Sequence, residues 1–162
     1  MSANCDIAII GGGPVGAALA LALRDSGLQI TLLEARKIQD ANPDPRALAL
    51  SYGSRLLLSR LGVWQDIAPV SKIKTIHISQ KNSFGRTLLD ATALKVPELG
   101  YVLPYPALQS ALQHALEGST VKLLFGAAVT SLHHSDDGAD IAYRLDGKDQ
   151  SIHARLVVVA DG

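Results

Sequence analysis

Cys5 to Ile10 reads CDIAII, an apolar, β-branched run that ends in glycines and predicts a buried strand. Pro14 to Ser26, PVGAALALALRDS, sets small and aliphatic residues on one to two faces behind a proline in the first turn, and Gly27 stops it; this predicts a helix. Leu28 to Glu34, LQITLLE, predicts a second strand. Strand, glycine turn, helix and strand within about 30 residues form a βαβ unit, with parallel strands and a right-handed crossover. Residues 35–50, with Asn42, Pro43, Asp44 and Pro45, read as a loop. Ser51 to Ile67 carries Leu56, Leu57, Leu58, Leu61 and Trp64 at helical spacings, with Gly62 near its end, and predicts one helix. Lys72 to Gln80 alternates like a strand, with Arg86 to Leu89 as its candidate partner. Pro106 to Glu117 has Leu108, Leu112 and Leu116 on one helical stripe. Thr120 to Phe125 predicts a strand. Ala127–His134, Ala139–Asp146 and Gln150–Arg155 read as a meander turning at Asp137-Gly138 and Asp146-Gly147. Leu156 to Ala160 is apolar throughout, as in a strand covered on both faces. The expected class is α/β. A mostly parallel sheet is built from 5–10, 28–34, 120–125 and 156–160, with the meander near 127–155 over one face.

Composition narrows the function. The 162 residues suit one domain, and 48% hydrophobic against 19% charged residues excludes general disorder. Fifteen basic and 15 acidic residues cancel, and aromatics are only 4%, which argues against nucleic-acid partners. Cys5 is the single cysteine, so no intrachain disulfide or four-thiolate zinc site can form, as fits a reducing cytoplasm. Glycines and Pro14 break the longest N-terminal apolar run, and Asp6 stands where a signal peptide wants basic residues.

The chemistry concentrates in Gly11-Gly12-Gly13-Pro14-Val15-Gly16, a G-x-G-x-x-G between a strand and a helix. Gly11 permits the tight turn, Gly13 lets a pyrophosphate approach the backbone, and Gly16 lets helix and sheet pack closely. The helix N-terminus offers unpaired N–H groups and partial positive charge to the phosphates. Glu34 follows Gly11 by 23 positions and closes the next strand, placed to accept hydrogen bonds from both ribose hydroxyls. Its charge would repel a 2′-phosphate, favouring FAD or NAD over NADP. Arg36 either softens that repulsion, stacks on an adenine, or is a solvated loop arginine. The same signal admits an NAD-linked dehydrogenase or reductase domain, or a non-catalytic nucleotide-binding module.

From Asp6 through the glycine motif to Glu34, the sequence resembles the N-terminal FAD motif of the flavoprotein aromatic hydroxylases. Arg46-Ala47-Leu48-Ala49-Leu50-Ser51, Leu61-Gly62-Val63-Trp64-Gln65-Asp66-Ile67, Gly100-Tyr101-Val102 and Val157 to Gly162 resemble its ubiquinone-biosynthesis branch. That branch comprises polyprenyl-phenol hydroxylases, including the 2-octaprenyl-6-methoxyphenol type. The resemblance implies a Rossmann-like FAD-binding fold whose substrate-domain sheet begins at about 72–104. It implies FAD as cofactor, NAD(P)H and O2 as co-substrates, and a polyprenylated phenol as substrate. It further implies a cytoplasmic protein able to touch the inner membrane peripherally, with other ubiquinone-biosynthesis proteins as candidate partners. Carried over by position, Gly11, Gly13, Pro14, Val15 and Gly16 meet the pyrophosphate, and Glu34, with Ala35 and Arg36 beside it, meets the adenosine. Arg46 reaches the FAD phosphate or ribityl region, or else forms a loop salt bridge. Val129 touches the adenine through its backbone, or else is an ordinary core valine. Asp161 and Gly162 open a second motif that continues past the chain. No residue is assigned as catalytic, because family catalysis rests on the flavin and a dry pocket. Pro104-Tyr105-Pro106 stands where family members often carry an arginine, so no flavin contact is assigned there. The resemblance implies that the chain is the N-terminal part of a longer flavoprotein, inactive by itself and with weak or absent FAD retention.

Other features read as structural. His133 and His134 are adjacent on a strand and point to opposite faces, so no metal site is assigned. Asp136 to Asp140 lacks calcium-loop spacing. Cys5 reads as an inert core thiol and His77 as a surface or half-buried strand residue. The Leu56–Leu61 stripe, Tyr101 and Tyr105 read as packing, with a prenyl-tail pocket as their alternative.

Overall fold

The computed structural model describes residues 3–37, 44–81 and 84–161. In chain order the elements are β1 (Ala3–Ile10), α1 (Pro14–Leu23), β2 (Ile30–Glu34), β3 (Ala47–Ser51), α2 (Tyr52–Arg60), a 3-10 turn (Trp64–Asp66), β4 (Ser71–Ile73) and β5 (Thr75–Ser79). They continue with β6 (Arg86–Asp90), β7 (Gly100–Pro104), α3 (Tyr105–Glu117), β8 (Lys122–Phe125), β9 (Ala128–Ser135), β10 (Gly138–Leu145) and β11 (Lys148–Val159). The chain forms two compact units, one from residues 1–43 and 112–162, the other from 44–111.

The first unit holds a six-stranded sheet in the order β8-β2-β1-β11-β10-β9. Its first four strands are mutually parallel, as the βαβ pattern requires, and the last two pairings are antiparallel. α1 packs on β1 and β2 and buries Gly16, Ala17, Ala20 and Leu21. The opposite core joins Ala8 and Leu33 of the parallel strands to Ile141, Tyr143, Ile152 and Ala154 of the meander. Leu124 of β8 and Val129 of β9 pack against that same cluster. A flat ladder would separate those two edge strands by about 24 Å, five strand spacings. The sheet therefore coils so that both of its edges border one core. The meander does cover one face, and it is also hydrogen-bonded in series with the strands it covers.

Gln150–Arg155 and Leu156–Ala160, read as separate strands, are one strand, β11. Its first half pairs with β10, and from Ile152 it also pairs with β1. Ala154 and Val157, three residues apart, reach one core, as do Cys5 and Ala8 across from them. Strict alternation forbids that. The irregularity shows in β1, where the Asp6 and Ile7 amides both donate to the Gln29 carbonyl, at 2.9 and 3.2 Å. A one-step change of facing lets a single strand serve both the parallel sheet and the meander. The Asp146-Gly147 turn has φ of 49° and 76°, the pair of left-handed residues that a two-residue hairpin demands.

In the second unit β3, β7 and β4 form an antiparallel sheet, and β5 and β6 a two-stranded ribbon. Three expectations change here. The loop expected over 35–50 contains β3, which pairs with β7 from Ala47–Pro104 to Ser51–Gly100; residues 38–43, with Asn42 and Pro43, lie outside the described residues. The helix expected over Ser51–Ile67 ends at Arg60. Ser51 caps α2 by accepting from the Ser54 amide at 3.0 Å, and Gly62, at φ 81°, turns the chain into the 3-10 segment. Lys72–Gln80 is two strands, β4 on β7 and β5 on β6; the pairing of Arg86–Leu89 with this segment holds. Leu58 and Leu61 are core residues, whereas Leu56 and Leu57 are exposed. Among the described residues no helix is long and apolar enough to cross a membrane.

Candidate functional site

The glycine turn at the carboxyl end of β1 is packed too tightly for side chains. Gly11 adopts φ 108° and donates to the Leu33 carbonyl at 2.8 Å. A Cβ on Gly11 would meet the Ala160 carbonyl oxygen at 2.6 Å and the Asp161 Cα at 2.8 Å. On Gly16 it would meet the Gly11 carbonyl oxygen at 2.0 Å, and on Gly12 the Glu34 Cβ at 2.9 Å. Three glycines are thus required by backbone and side-chain crowding alone. Gly13 is the N-cap of α1 and Pro14 its first residue. No side chain caps this helix, no acid stands in its first turn, and Val15 is 73% exposed. The positive end of the helix dipole is left for an external anion.

Glu34 closes β2 and is buried, 9% exposed. Its Oε2 accepts the Gly12 amide at 2.6 Å; its Oε1 accepts the Arg36 amide at 2.9 Å and Arg36 Nε at 3.1 Å. Burial pushes its carboxyl upward, but the Arg36 and Gly12 hydrogen bonds and the Arg36 charge together outweigh burial and hold it below the ordinary carboxylate range. Glu34 is therefore an anion at neutral pH. Arg36, its guanidinium largely exposed, pairs with that anion. The ion pair places the Arg36 guanidinium against the Glu34 charge while leaving it largely exposed. Ala35 is exposed beside them.

The start of β9 runs against the same corner. Ala127 donates to the Glu34 carbonyl at 2.9 Å and Gly126 to the Arg36 carbonyl at 3.1 Å. Val129 follows two residues later on this edge strand, its side chain packed against the meander core. Asp161 meets Gly11 where β11 ends, and the Ala160 amide donates to the Ile10 carbonyl at 2.7 Å. Gly11, Gly13, Pro14, Val15, Gly16, Glu34, Ala35, Arg36 and Asp161 are thus gathered at the carboxyl ends of parallel strands, with Val129 near the start of β9. Gly162 lies outside the described residues. Gly12 joins them. It was only a spacer in the motif reading, and the three consecutive glycines were the signal for it.

Arg46 belongs to the second unit. Its Nε donates to Asp44 Oδ2 at 2.8 Å, and its guanidinium lies 5.2 Å from the Tyr105 ring centre. That is the loop salt bridge named as its alternative. Cys5 is buried, and burial pushes its thiol upward, as suits an unreactive core residue. His77 is exposed, Tyr101 is buried, and Tyr105 is half-buried.

Residues 4–162 match the family described as FAD binding domain. The chain belongs to the FAD binding domain family. Its cofactor is FAD. The 3-demethoxyubiquinol 3-hydroxylase of Escherichia coli (strain K12) is 37% identical over 97% of this chain and 41% of its own length. Ubiquinone hydroxylase UbiM of Neisseria meningitidis is 29% identical over 99% of this chain and 36% of its own. The chain spans about two-fifths of the length of these relatives. Among solved structures, p-nitrophenol 4-monooxygenase PnpA from Pseudomonas putida DLL-E4 matches all of this chain and 42% of its own at TM-score 0.82 and 22% identity. The flavin-dependent monooxygenase PieE, in complex with FAD and substrate, matches 98% of this chain and 30% of its own at TM-score 0.79 and 21% identity. These likenesses establish the fold.

Proposed function

We propose that this chain is the FAD-binding part of an FAD-dependent monooxygenase that hydroxylates a polyprenylated phenol in ubiquinone biosynthesis, using NAD(P)H and O2. One observation carries the reading. A side-chain-free turn and an uncapped helix start stand beside a buried, ionised Glu34. That donor and acceptor set fits a diphosphate followed by a sugar diol, the ADP half of FAD. The first-turn amides of Val15 and Gly16 face the diphosphate beside Pro14, which carries no N–H, and Gly11 and Gly13 let it approach. Glu34 accepts from the ribose hydroxyls with the lone pairs that Gly12 and Arg36 leave open. Ala35 and Arg36 flank the adenosine, and the Val129 backbone on the free edge of β9 borders the adenine. Asp161 meets the cofactor from the end of β11. The chemistry that FAD supplies when bound is the two-electron use of NAD(P)H to place one oxygen atom of O2 on an aromatic ring.

The ubiquinone assignment draws on the two hydroxylases named above. The second unit, with β5 and β6, begins the substrate domain in this reading. A prenylated phenol is a lipid, so peripheral contact with a membrane and with other ubiquinone-biosynthesis proteins belongs to it. The test is a titration of the chain with FAD and, separately, NAD, read by flavin absorbance and fluorescence and by calorimetry. Saturable FAD uptake that NAD does not displace is expected. Tight NAD binding without FAD uptake overturns the reading and leaves an NAD-linked domain.

A further inference from the structure

The second unit contains a cavity of about 580 Å3 that no step above uses. Its size falls within the range of small-molecule sites. Arg55 of α2, Trp64 of the 3-10 turn, Ile67, Val70 and Lys72 line it, with Glu98 at its side. The charges there are unequally satisfied. Glu98 is buried, and each of its oxygens has a partner: Lys72 Nζ is 2.8 Å from Oε1, and the Tyr101 hydroxyl donates to Oε2 at 2.8 Å. The Lys72 ion pair and the Tyr101 hydrogen bond hold the Glu98 carboxyl below the usual range, while burial and Glu98 push the Tyr101 hydroxyl up to about 12. The Glu98–Lys72 pair is therefore closed at neutral pH.

Arg55 is different. Its guanidinium stands 6.0 Å from the ring centres of both Tyr52 and Trp64, which hold it half-buried. Among the described residues no carboxylate or other acceptor pairs with that guanidinium. Its charge reaches Glu98, each of whose oxygens already has one partner, Lys72 or Tyr101. Among the described residues no buried side-chain nitrogen or oxygen lacks a partner, so the Arg55 donors are open to solvent and able to exchange water for an anion. Its planar fork matches a carboxylate. Beside it stand the Trp64 ring, itself edge-on to Tyr101 at 4.9 Å, and Ile67 and Val70, while Gln65, Lys72 and Glu98 make the rest of the wall polar.

We propose that this cavity binds a small aryl carboxylate, its carboxylate on Arg55 and its ring against Trp64, Ile67 and Val70. One positive charge beyond the Glu98–Lys72 pair suits a monoanion rather than a phosphate dianion, and the Trp64 ring with Ile67 and Val70 suits a flat hydrocarbon body. This site is independent of the FAD reading and does not require it.

Trp64 is the single tryptophan, so its fluorescence reports this cavity alone. The full chain is titrated with benzoate, with the uncharged isostere benzamide, and with inorganic phosphate, by Trp64 fluorescence and by calorimetry. Saturable benzoate binding is expected, with benzamide and phosphate each at least about tenfold weaker, the equivalent of one charge contact. Arg55→Gln is expected to weaken benzoate about tenfold by calorimetry while keeping the thermal midpoint of the parent. No saturable benzoate signal overturns the proposal. Equal binding of benzamide shows an apolar cavity without anion recognition and overturns it too. Phosphate equal to benzoate overturns the aryl part. Should Arg55→Gln fail to fold, the benzoate–benzamide comparison on the parent chain still decides.

Discussion

A single carboxylate carries more of the cofactor reading than any other group. Glu34 is paid for its burial by three hydrogen bonds, two from backbone amides and one from Arg36. Glu34→Gln keeps the shape but loses the charge that ribose hydroxyls would meet. Charge-assisted bonds contribute roughly 1.5–3 kcal/mol each, so FAD affinity should fall at least about tenfold, measured by titration of parent and variant. Equal affinity would remove Glu34 from the ribose site. Gly16 is a steric rather than an electrostatic position. Gly16→Ala puts a methyl where the Gly11 carbonyl oxygen already is, 2.0 Å away. Overpacking of this kind costs about 1–3 kcal/mol, and urea unfolding should show a loss in that range or above it. These glycines were legible because motif spacing records steric demand directly. The Arg36 pairing was not, since three geometries suit one loop arginine equally until its neighbours are placed.

Elements divide by how local their partners are. β1, α1 and β2 could be read because their packing is settled within one βαβ unit. β3 could not. It alternates half-buried and exposed positions at a sheet edge, and its partner among the described residues, β7, stands about fifty residues further on. Lys72–Gln80 looked continuous because alternation does not record which strand each half joins. At the β10–β11 pairing, Asp140 and His153 stand directly opposite, with His153 Nδ1 2.8 Å from Asp140 Oδ1. That contact, with help from Asp137, holds the imidazole above its ordinary value of 6.5. A raised value means the pairing stabilises the fold fully below pH 6.5 and loses that contribution as pH rises through the folded-state value. An NMR titration should place His153 above 6.5, and Asp140→Asn should bring it back toward that value. An unmoved midpoint in the variant would show that Asp140 is not the cause.

At the scale of the whole molecule, the first unit owes its integrity to one core shared by the parallel strands and the meander. Ile141 is fully buried in it. Ile141→Ala should cost about 2–5 kcal/mol. Because the meander edge also forms the corner beside Glu34, the same variant should weaken FAD uptake. Denaturant unfolding and flavin titration on one preparation check both. Loss of stability with unchanged FAD affinity would show that corner to be independent of the meander core.

The order of residues alone determined the βαβ unit, the glycine turn, the acid closing β2 and the hairpin at Asp146-Gly147. All four are set by contacts or backbone conformations within a few dozen positions, where composition and spacing state the requirement. Tertiary structure alone decided that β11 is one strand serving two pairings, that β3 is a strand, that Glu34 shares its charge with Arg36, and that Arg55 lines a cavity beside Trp64. Each depends on which distant segment arrives alongside, and a hydrogen bond or a charge has no value until its partner has a position.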